Sequence, residues 1–234
     1  MRFRYSMIQT YLDCPNKFKQ LYVDKVVEQQ ESIDLHFGTA MHSALQGHYE
    51  DNDPYEIFNM YWNSIKEKHL QSARFNWEQL REMAVGTFLP NFIRLHAKKF
   101  NIIKLEETLE MPFLGSHTLQ GTFDVVAKVD GQLTLIDYKT SAREYTMSKL
   151  YRSPQLYIYA MLYEHHYGTP IEQIMYKVFI KQEKRIQTIK LDLQRDRMDR
   201  MIKNVETICG DMVSRIESNK WFSNPNCYCI SKEC

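Results

Sequence analysis

The chain has 234 residues, a length that suits one large domain or one domain with an insertion. Hydrophobic residues make up 44% and charged residues 25%, the balance of a soluble globular protein and not of a disordered or fibrous one. Thirty basic residues against twenty-nine acidic ones give a net charge of +1, so contact with a polyanion must be made by a local patch. In chain order, apolar Ile8, Leu12, Phe18 and Leu21 predict a helix over 5–22, broken near Pro15. Residues 33–49 read as a second helix. Asp53-Pro54 opens a third, reaching about residue 70. A fourth runs from about 77 to 100, kinked at Pro90.

The pattern then changes to period two. Strands are predicted over 102–111, 117–129 and 132–140. Ser153-Pro154 opens a helix to Tyr167. Residues 174–180 and 185–191 form a second hairpin, with Lys181, Lys184 and Arg185 at its tip. A last helix covers about 195–216. Its stripe of Met198, Met201, Ile202, Val205, Met212, Val213 and Ile216 includes Cys209, which assigns that thiol to the core. The order predicts an α/β fold: one domain over 1–234, with a mixed central sheet flanked by helices. A helical insertion is expected at about 51–101 and a cysteine-bearing tail at 221–234.

Asp130-Gly131 is a strong signal for a two-residue hairpin. Residues facing each other pair symmetrically about such a turn, so Val129 faces Gln132 and Asp124 faces Asp137. The aspartates fall on a non-hydrogen-bonded pair, with Cβ atoms about 4.5–5.5 Å apart. Lys139 lies two residues on, on the face of Asp137. Two opposed like charges need a shared proton, a basic partner or a bound cation. A hard divalent ion suits carboxylate oxygens. A solvated surface pair neutralised by Lys139 is the plainer alternative, but both strand faces are apolar, which favours a covered strand with the carboxylates in a cleft.

Gly121-Thr-Phe-Asp124 followed by Leu135-Ile-Asp137-Tyr-Lys139-Thr140 resembles the core of the PD-(D/E)XK nuclease superfamily, and more narrowly its RecB-like branch. That branch includes the AddB nuclease domain and CRISPR-adaptation exonucleases. Phe37-Gly-Thr-Ala-Met-His42 resembles the branch's upstream helix with a metal-ligating histidine. Gln155-Leu-Tyr-Ile-Tyr159 resembles its Gln-x-x-x-Tyr helix, and Leu12-Asp-Cys14-Pro15 with Phe18 and Tyr22 its N-terminal segment.

The resemblance implies a restriction-endonuclease-like core and a metal-dependent DNA nuclease. Asp124, Asp137, the Tyr138 backbone carbonyl and His42 would hold Mg²⁺ or Mn²⁺. Lys139 would orient the attacking water and stabilise charge on the phosphoryl group, with Gln155 and Tyr159 as active-site contacts. Lys149, Arg152, Lys181, Lys184 and Arg185 are candidate DNA contacts; Tyr157 and Tyr163 read as packing.

The resemblance also suggests one early and three late cysteines holding a [4Fe–4S] cluster: Cys14, Cys227, Cys229 and Cys234. The late spacing here, Cys-x-Cys then Cys-x₄-Cys, is tighter than the usual one. Zinc and uncoordinated tail thiols stay open as readings. The expected activity is exonucleolytic, in recombination, repair or phage DNA processing. An endonuclease and a non-catalytic DNA-binding module are the alternatives. With no Walker A motif, no motor is recognisable, and a helicase or recombination partner is not indicated. No apolar run is long enough for a membrane span and the first residues show no secretory signal, so a cytoplasmic protein of a prokaryotic or phage-infected cell is expected.

Overall fold

The computed structural model describes residues 1–26, 31–68, 70 and 74–224. Its elements begin with β1 (Arg2–Arg4), α1 (Tyr5–Asp13), α2 (Pro15–Phe18), α3 (Ile33–Tyr49), α4 (Pro54–Ser64), α5 (Trp77–Met83) and α6 (Leu89–Leu95). They continue with β2 (Asn101–Phe113), β3 (His117–Val129), β4 (Gln132–Ser141), α7 (Met147–Arg152), α8 (Pro154–Tyr167), β5 (Gln173–Ile180), β6 (Arg185–Asp192) and α9 (Arg195–Ser218).

The six strands form one mixed sheet in the order β1-β3-β4-β5-β6, with β2 on the other edge of β3. Asp130 and Gly131 have φ of 51° and 88°, the paired positive values that a type I′ hairpin needs. β4 and β5 are parallel, as their connection through α7 and α8 allows; β5 and β6 are an antiparallel hairpin. β5 is buried along its whole length, so its apolar residues occupy both faces without alternation, interrupted by the buried Lys177.

Each sheet face carries its own core. On one side Phe3, Leu119, Phe123 and Ile174 pack with Ile8 of α1, Leu156 and Ile158 of α8, and the Met198, Val205, Cys209 and Met212 stripe of α9. Burial pushes the Cys209 thiol up to about 12, the behaviour of an inert core residue. On the other side Phe37, Phe58, Trp62, Phe88 and Phe92 cover Val125, Ile136, Tyr138 and Phe179.

Three local departures from expectation have physical causes. The predicted helix over 77–100 is interrupted: a wider π-type turn fills Ala84–Phe88, with Leu89 donating to the Ala84 carbonyl five residues back. Pro90 follows at once, and the wider turn relieves the clash of its ring with the carbonyl four residues earlier. β1 and α7 are too short to show a period. β1 is fixed instead by burial of Phe3 and parallel pairing with Thr118–Gln120, and α7 by the Thr146 cap, which accepts from the Lys149 N–H.

Candidate active site

β3 divides one of its edges between two partners. β1 pairs with residues 118–120 and β4 with 125–129, while β2 runs along the opposite edge. Residues 121–124 are left where β1 and β4 part, and the candidate site occupies this fork. The predicted hairpin register holds as far as Val125 and Ile136. One residue further the β3–β4 ladder stops, while β4 stays paired with β5 along its other edge from Thr134 to Ser141. Asp124 Oδ2 then accepts the Tyr138 N–H at 2.6 Å, a charge-assisted bond that satisfies a buried backbone donor.

The side-chain alternation reverses at the same point. Leu119 and Phe123 belong to the α8-side core, whereas Val125, Ala127 and Val129 belong to the α3-side core. β2 reverses in step, from Leu105 to Leu109. Between them lies Glu106, flanked by the pairs Leu105–Val125 and Glu107–Phe123 and so across from Asp124. Its φ is 43°, a left-handed backbone that costs a non-glycine residue of order 1–3 kcal/mol.

His42 reaches the fork from α3, where Ser32 caps the helix and Ile33, Phe37, Met41 and Ala44 bury one face. Its Nε2 lies 2.8 Å from the Tyr138 carbonyl oxygen and its Nδ1 3.3 Å from Asp124 Oδ1. Burial works against a charged imidazole, but the Asp124 carboxylate outweighs it and pushes His42 up to about 9. A doubly protonated ring donates to both oxygens. Asp124, although buried, is held low by His42. Glu106 is pushed up to about 7, first by burial and then by Asp124.

Asp137 is 1% exposed, and its Oδ2 lies 2.7 Å from Lys139 Nζ. Burial pushes Asp137 up to about 6 against the pull of Lys139. Burial alone would lower Lys139, but Asp137 and Asp124 hold its ammonium charged well above the usual lysine range. With no ion beside these carboxylates, Lys139 is therefore held as a cation against Asp137.

His42, Glu106 and Asp124 bring one ligand atom each to within 4.8 Å of one another. Asp137 stands outside that trio, because the strands diverge after Val125 and Lys139 engages its carboxylate. The sequence reading missed Glu106. Symmetric pairing about the 114–116 turn, applied as it was about Asp130-Gly131, would have placed Glu106 opposite Asp124. One imidazole nitrogen, two carboxylates and the nearby Tyr138 carbonyl form an oxygen-rich donor set that fits Mg²⁺ or Mn²⁺. Uptake of either ion should displace the His42 proton and part of that on Glu106. Calorimetry in buffers of different ionisation enthalpy at pH 7 is expected to show release of about one proton or more per ion, falling toward zero above pH 9. Binding without proton release would mean that His42 is not displaced from its hydrogen bonds.

Gln155 and Tyr159 stand one turn apart on α8, both buried, and Gln155 Nε2 donates to the Tyr159 hydroxyl at 3.1 Å. Gly121 explains the glycine of the Gly-x-x-Asp strand: a Cβ there would lie 2.6 Å from the Tyr159 ring and 3.0 Å from Leu162. Gly121→Ala is expected to destabilise the fold by about 1–3 kcal/mol and to displace Tyr159, as read by urea denaturation and by a crystal structure. Unchanged stability would show that α8 can slide.

The basic candidates separate. Lys149 and Arg152 are exposed on α7. Lys184 is exposed in the β5–β6 turn at φ 51°, and Arg185 is held by Glu144 and Glu183. Lys181 corrects the expectation of a DNA contact. It is 5% exposed, ion-paired with Asp34 and close to the Phe37 ring, so it braces α3 against the end of β5.

Cys14 is buried at the junction of α1 and α2. Residues 222–224 lie against that junction. Asn16 N–H donates to the Phe222 carbonyl at 3.1 Å, and Asn224 Nδ2 to the Asp13 carbonyl at 2.8 Å. Cys227, Cys229 and Cys234 fall outside the described residues.

A mixed sheet flanked by helices, with acidic groups and a lysine gathered where its strands part, is the restriction-endonuclease-like α/β class. The chain belongs to the PD-(D/E)XK nuclease superfamily, whose family model matches residues 2–234. A crystal structure titled "Putative exonuclease" from Eubacterium rectale superposes with a TM-score of 0.65 at 12% identity, covering 97% of this chain and 85% of that one. That likeness shows the fold. An alkaline exonuclease from Laribacter hongkongensis matches at a TM-score of 0.38 and 8% identity over 79% of this chain and 95% of its own. No curated protein matches the chain. Among the described residues, no helix is long and apolar enough to cross a membrane.

Proposed function

We propose that the protein is a metal-dependent deoxyribonuclease of the RecB-like branch, acting as an exonuclease. The observation that carries this reading is the charged Lys139 ammonium, held beside Asp137 at the fork where Asp124, His42 and Glu106 converge. A divalent cation held there by His42, Glu106, Asp124 and the Tyr138 carbonyl would polarise the phosphoryl oxygen and acidify a water. Lys139 faces the developing negative charge as a preorganised cation and orients the attacking water. Asp137 fixes the Lys139 ammonium in place. Gln155, positioned through Tyr159, lies in the first turn of α8 and presents an amide to a phosphate oxygen.

The test uses labelled single- and double-stranded DNA, linear and circular, with Mg²⁺ or Mn²⁺ and with chelator. Metal-dependent degradation of linear DNA with closed circles spared is the expected result. Efficient linearisation of closed circles would establish an endonuclease, and binding without cleavage under any of these metals would leave a DNA-binding module. Recombination, repair and phage DNA processing are the settings such an activity serves.

A [4Fe–4S] cluster on Cys14, Cys227, Cys229 and Cys234 is proposed alongside, supported by the docking of residues 222–224 beside Cys14. Anaerobic purification is expected to give about four iron and four sulfide per chain. About one zinc per chain would assign a tetrahedral structural site instead.

A further inference from the structure

Lys139 is a wall shared by two clefts of opposite character. The cleft of about 620 Å³ on the α3 side holds His42, Glu106 and Asp34. The cleft of about 770 Å³ on the α8 side is lined by Lys139, Lys149, Arg152, Tyr5, Gln155 and Tyr176 among others, and none of its lining residues is acidic. Several basic side chains elsewhere are paired with acids, Arg185 with Glu144, Arg195 with Glu164 and Arg200 with Asp196. At this cleft Lys139 is paired with the buried Asp137, while Lys149 and Arg152 stand apart from any acid among the described residues. Lys149 lies 3.4 Å from the centre of the Tyr145 ring, with no carboxylate in salt-bridge reach among the described residues, and the same holds for Arg152.

The cleft walls are built. Tyr145 packs edge-on against Tyr176, whose hydroxyl donates to Ser153 Oγ at 3.0 Å. Gln155 is 8% exposed. Ser153, Pro154 and Gln155, at the start of the fourteen-residue α8, line the same cleft, and Ser153 makes no side-chain cap on that helix. Two exposed cations without acidic partners, the partly exposed Lys139 ammonium and a helix start around a cavity with no acidic lining residue form a surface that favours an anion.

We propose that this basic cleft is a strand-phosphate subsite. Through Lys149, Arg152 and the first turn of α8 it takes the phosphate adjoining the scissile one, so that a nucleic-acid strand passes from the basic cleft across Lys139 into the acidic one. The inference rests on the nuclease reading and deepens it: the ligand is a polynucleotide strand, held by its backbone and not by its bases. The phosphate is either an internal phosphodiester or a terminal phosphomonoester, which share this chemistry.

The test is fluorescence anisotropy of the full chain on single-stranded oligonucleotides in chelator, across a salt series, for wild type and the K149A/R152A variant. Both residues are exposed and outside either core, so the variant keeps the fold; K149E alone provides a second variant. The double variant is expected to bind at least tenfold more weakly at low salt, with a slope of log K against log salt shallower by about 1.4, or about 0.7 per lost phosphate contact. In the metal-loaded cleavage assay its KM rises by a larger factor than its kcat falls. Unchanged affinity or an unchanged salt slope overturns the subsite.

Oligonucleotides ending in 5′-phosphate, 5′-hydroxyl, 3′-phosphate or 3′-hydroxyl distinguish the two sources. A preference for one phosphorylated end that vanishes in the variant identifies a terminal occupant, whereas equal weakening on all four identifies an internal one. A wild-type protein that binds with the steep slope but never cleaves would defeat the nuclease reading and leave the subsite standing.

Discussion

Lys139→Ala and Asp137→Ala should each lower DNA cleavage by about 10²–10⁴ while leaving a folded chain. The buried Asp137 carboxylate and the Lys139 ammonium are 2.7 Å apart and form one unit. Removing the lysine takes away the fixed cation facing the phosphate and leaves Asp137 buried without its partner. The Asp137 pKa, already pushed up to about 6 by burial, should then rise further. A carboxyl whose folded pKa exceeds its unfolded value of about 3.9 adds stability below that pH, which is lost as pH rises through the folded pKa. Lys139→Met should therefore unfold more readily than wild type at pH 8, by about 2–3 kcal/mol once the partial exposure of the lysine is allowed for, and by much less near pH 4. Asp137→Asn combined with Lys139→Met removes the charge conflict and should recover most of that stability with no activity. Urea denaturation and a cleavage assay on the same samples separate the two effects. Near-normal turnover by a folded single variant would remove both residues from the active site.

The parts of this fold written in the sequence are those set by local periodicity and turn chemistry. Asp130-Gly131 dictates a hairpin because only a few residue pairs accept two positive φ values, and the register followed as far as Ile136. Beyond that point pairing depends on strands distant in sequence. β4 parts from β3 after Ile136 while staying paired with β5 on its other edge, and three residues at the N-terminus take the freed edge of β3. Neither event has a local signature, so the fork and the capture of the Tyr138 N–H by Asp124 were not legible. Lys181 shows the same limit: a lysine beside a turn looks solvated until an acidic residue on α3, at position 34, arrives to pair with it.

The fork explains why the acidic groups are not equivalent. Asp124 sits where the side-chain alternation reverses, so its carboxylate reaches His42 from the α3 side and Tyr138 in the plane of the sheet. Asp137 continues the regular face of β4 and stays with Lys139. A backbone irregularity thereby separates one acidic pair: Asp124 lies with His42 and Glu106, and Asp137 with Lys139.

Asp124→Asn tests that division most directly. The amide keeps the carboxylate's shape, and its oxygen can still accept the Tyr138 N–H, so the fold should survive. Its NH₂ group would then face His42, donor against donor. Burial already disfavours the charged imidazole, and only the Asp124 carboxylate outweighs it. Without that charge His42 should titrate at or below its ordinary value of about 6.5 instead of about 9. In wild type a raised folded pKa gives stability that is complete below about 6.5 and is lost as pH rises through about 9. In the variant that dependence should vanish. Loss of one anionic donor should also weaken Mg²⁺ or Mn²⁺ binding by about 100-fold or more, since losing a group that only hydrogen-bonds to a ligand already costs about 10–100-fold. NMR titration of the His42 ring and calorimetry with Mn²⁺ read the two effects separately. A variant whose His42 still titrates near 9 would show that Asp137 or Glu106 supplies the charge. A variant that binds Mn²⁺ as tightly as wild type would move the ion away from the fork altogether.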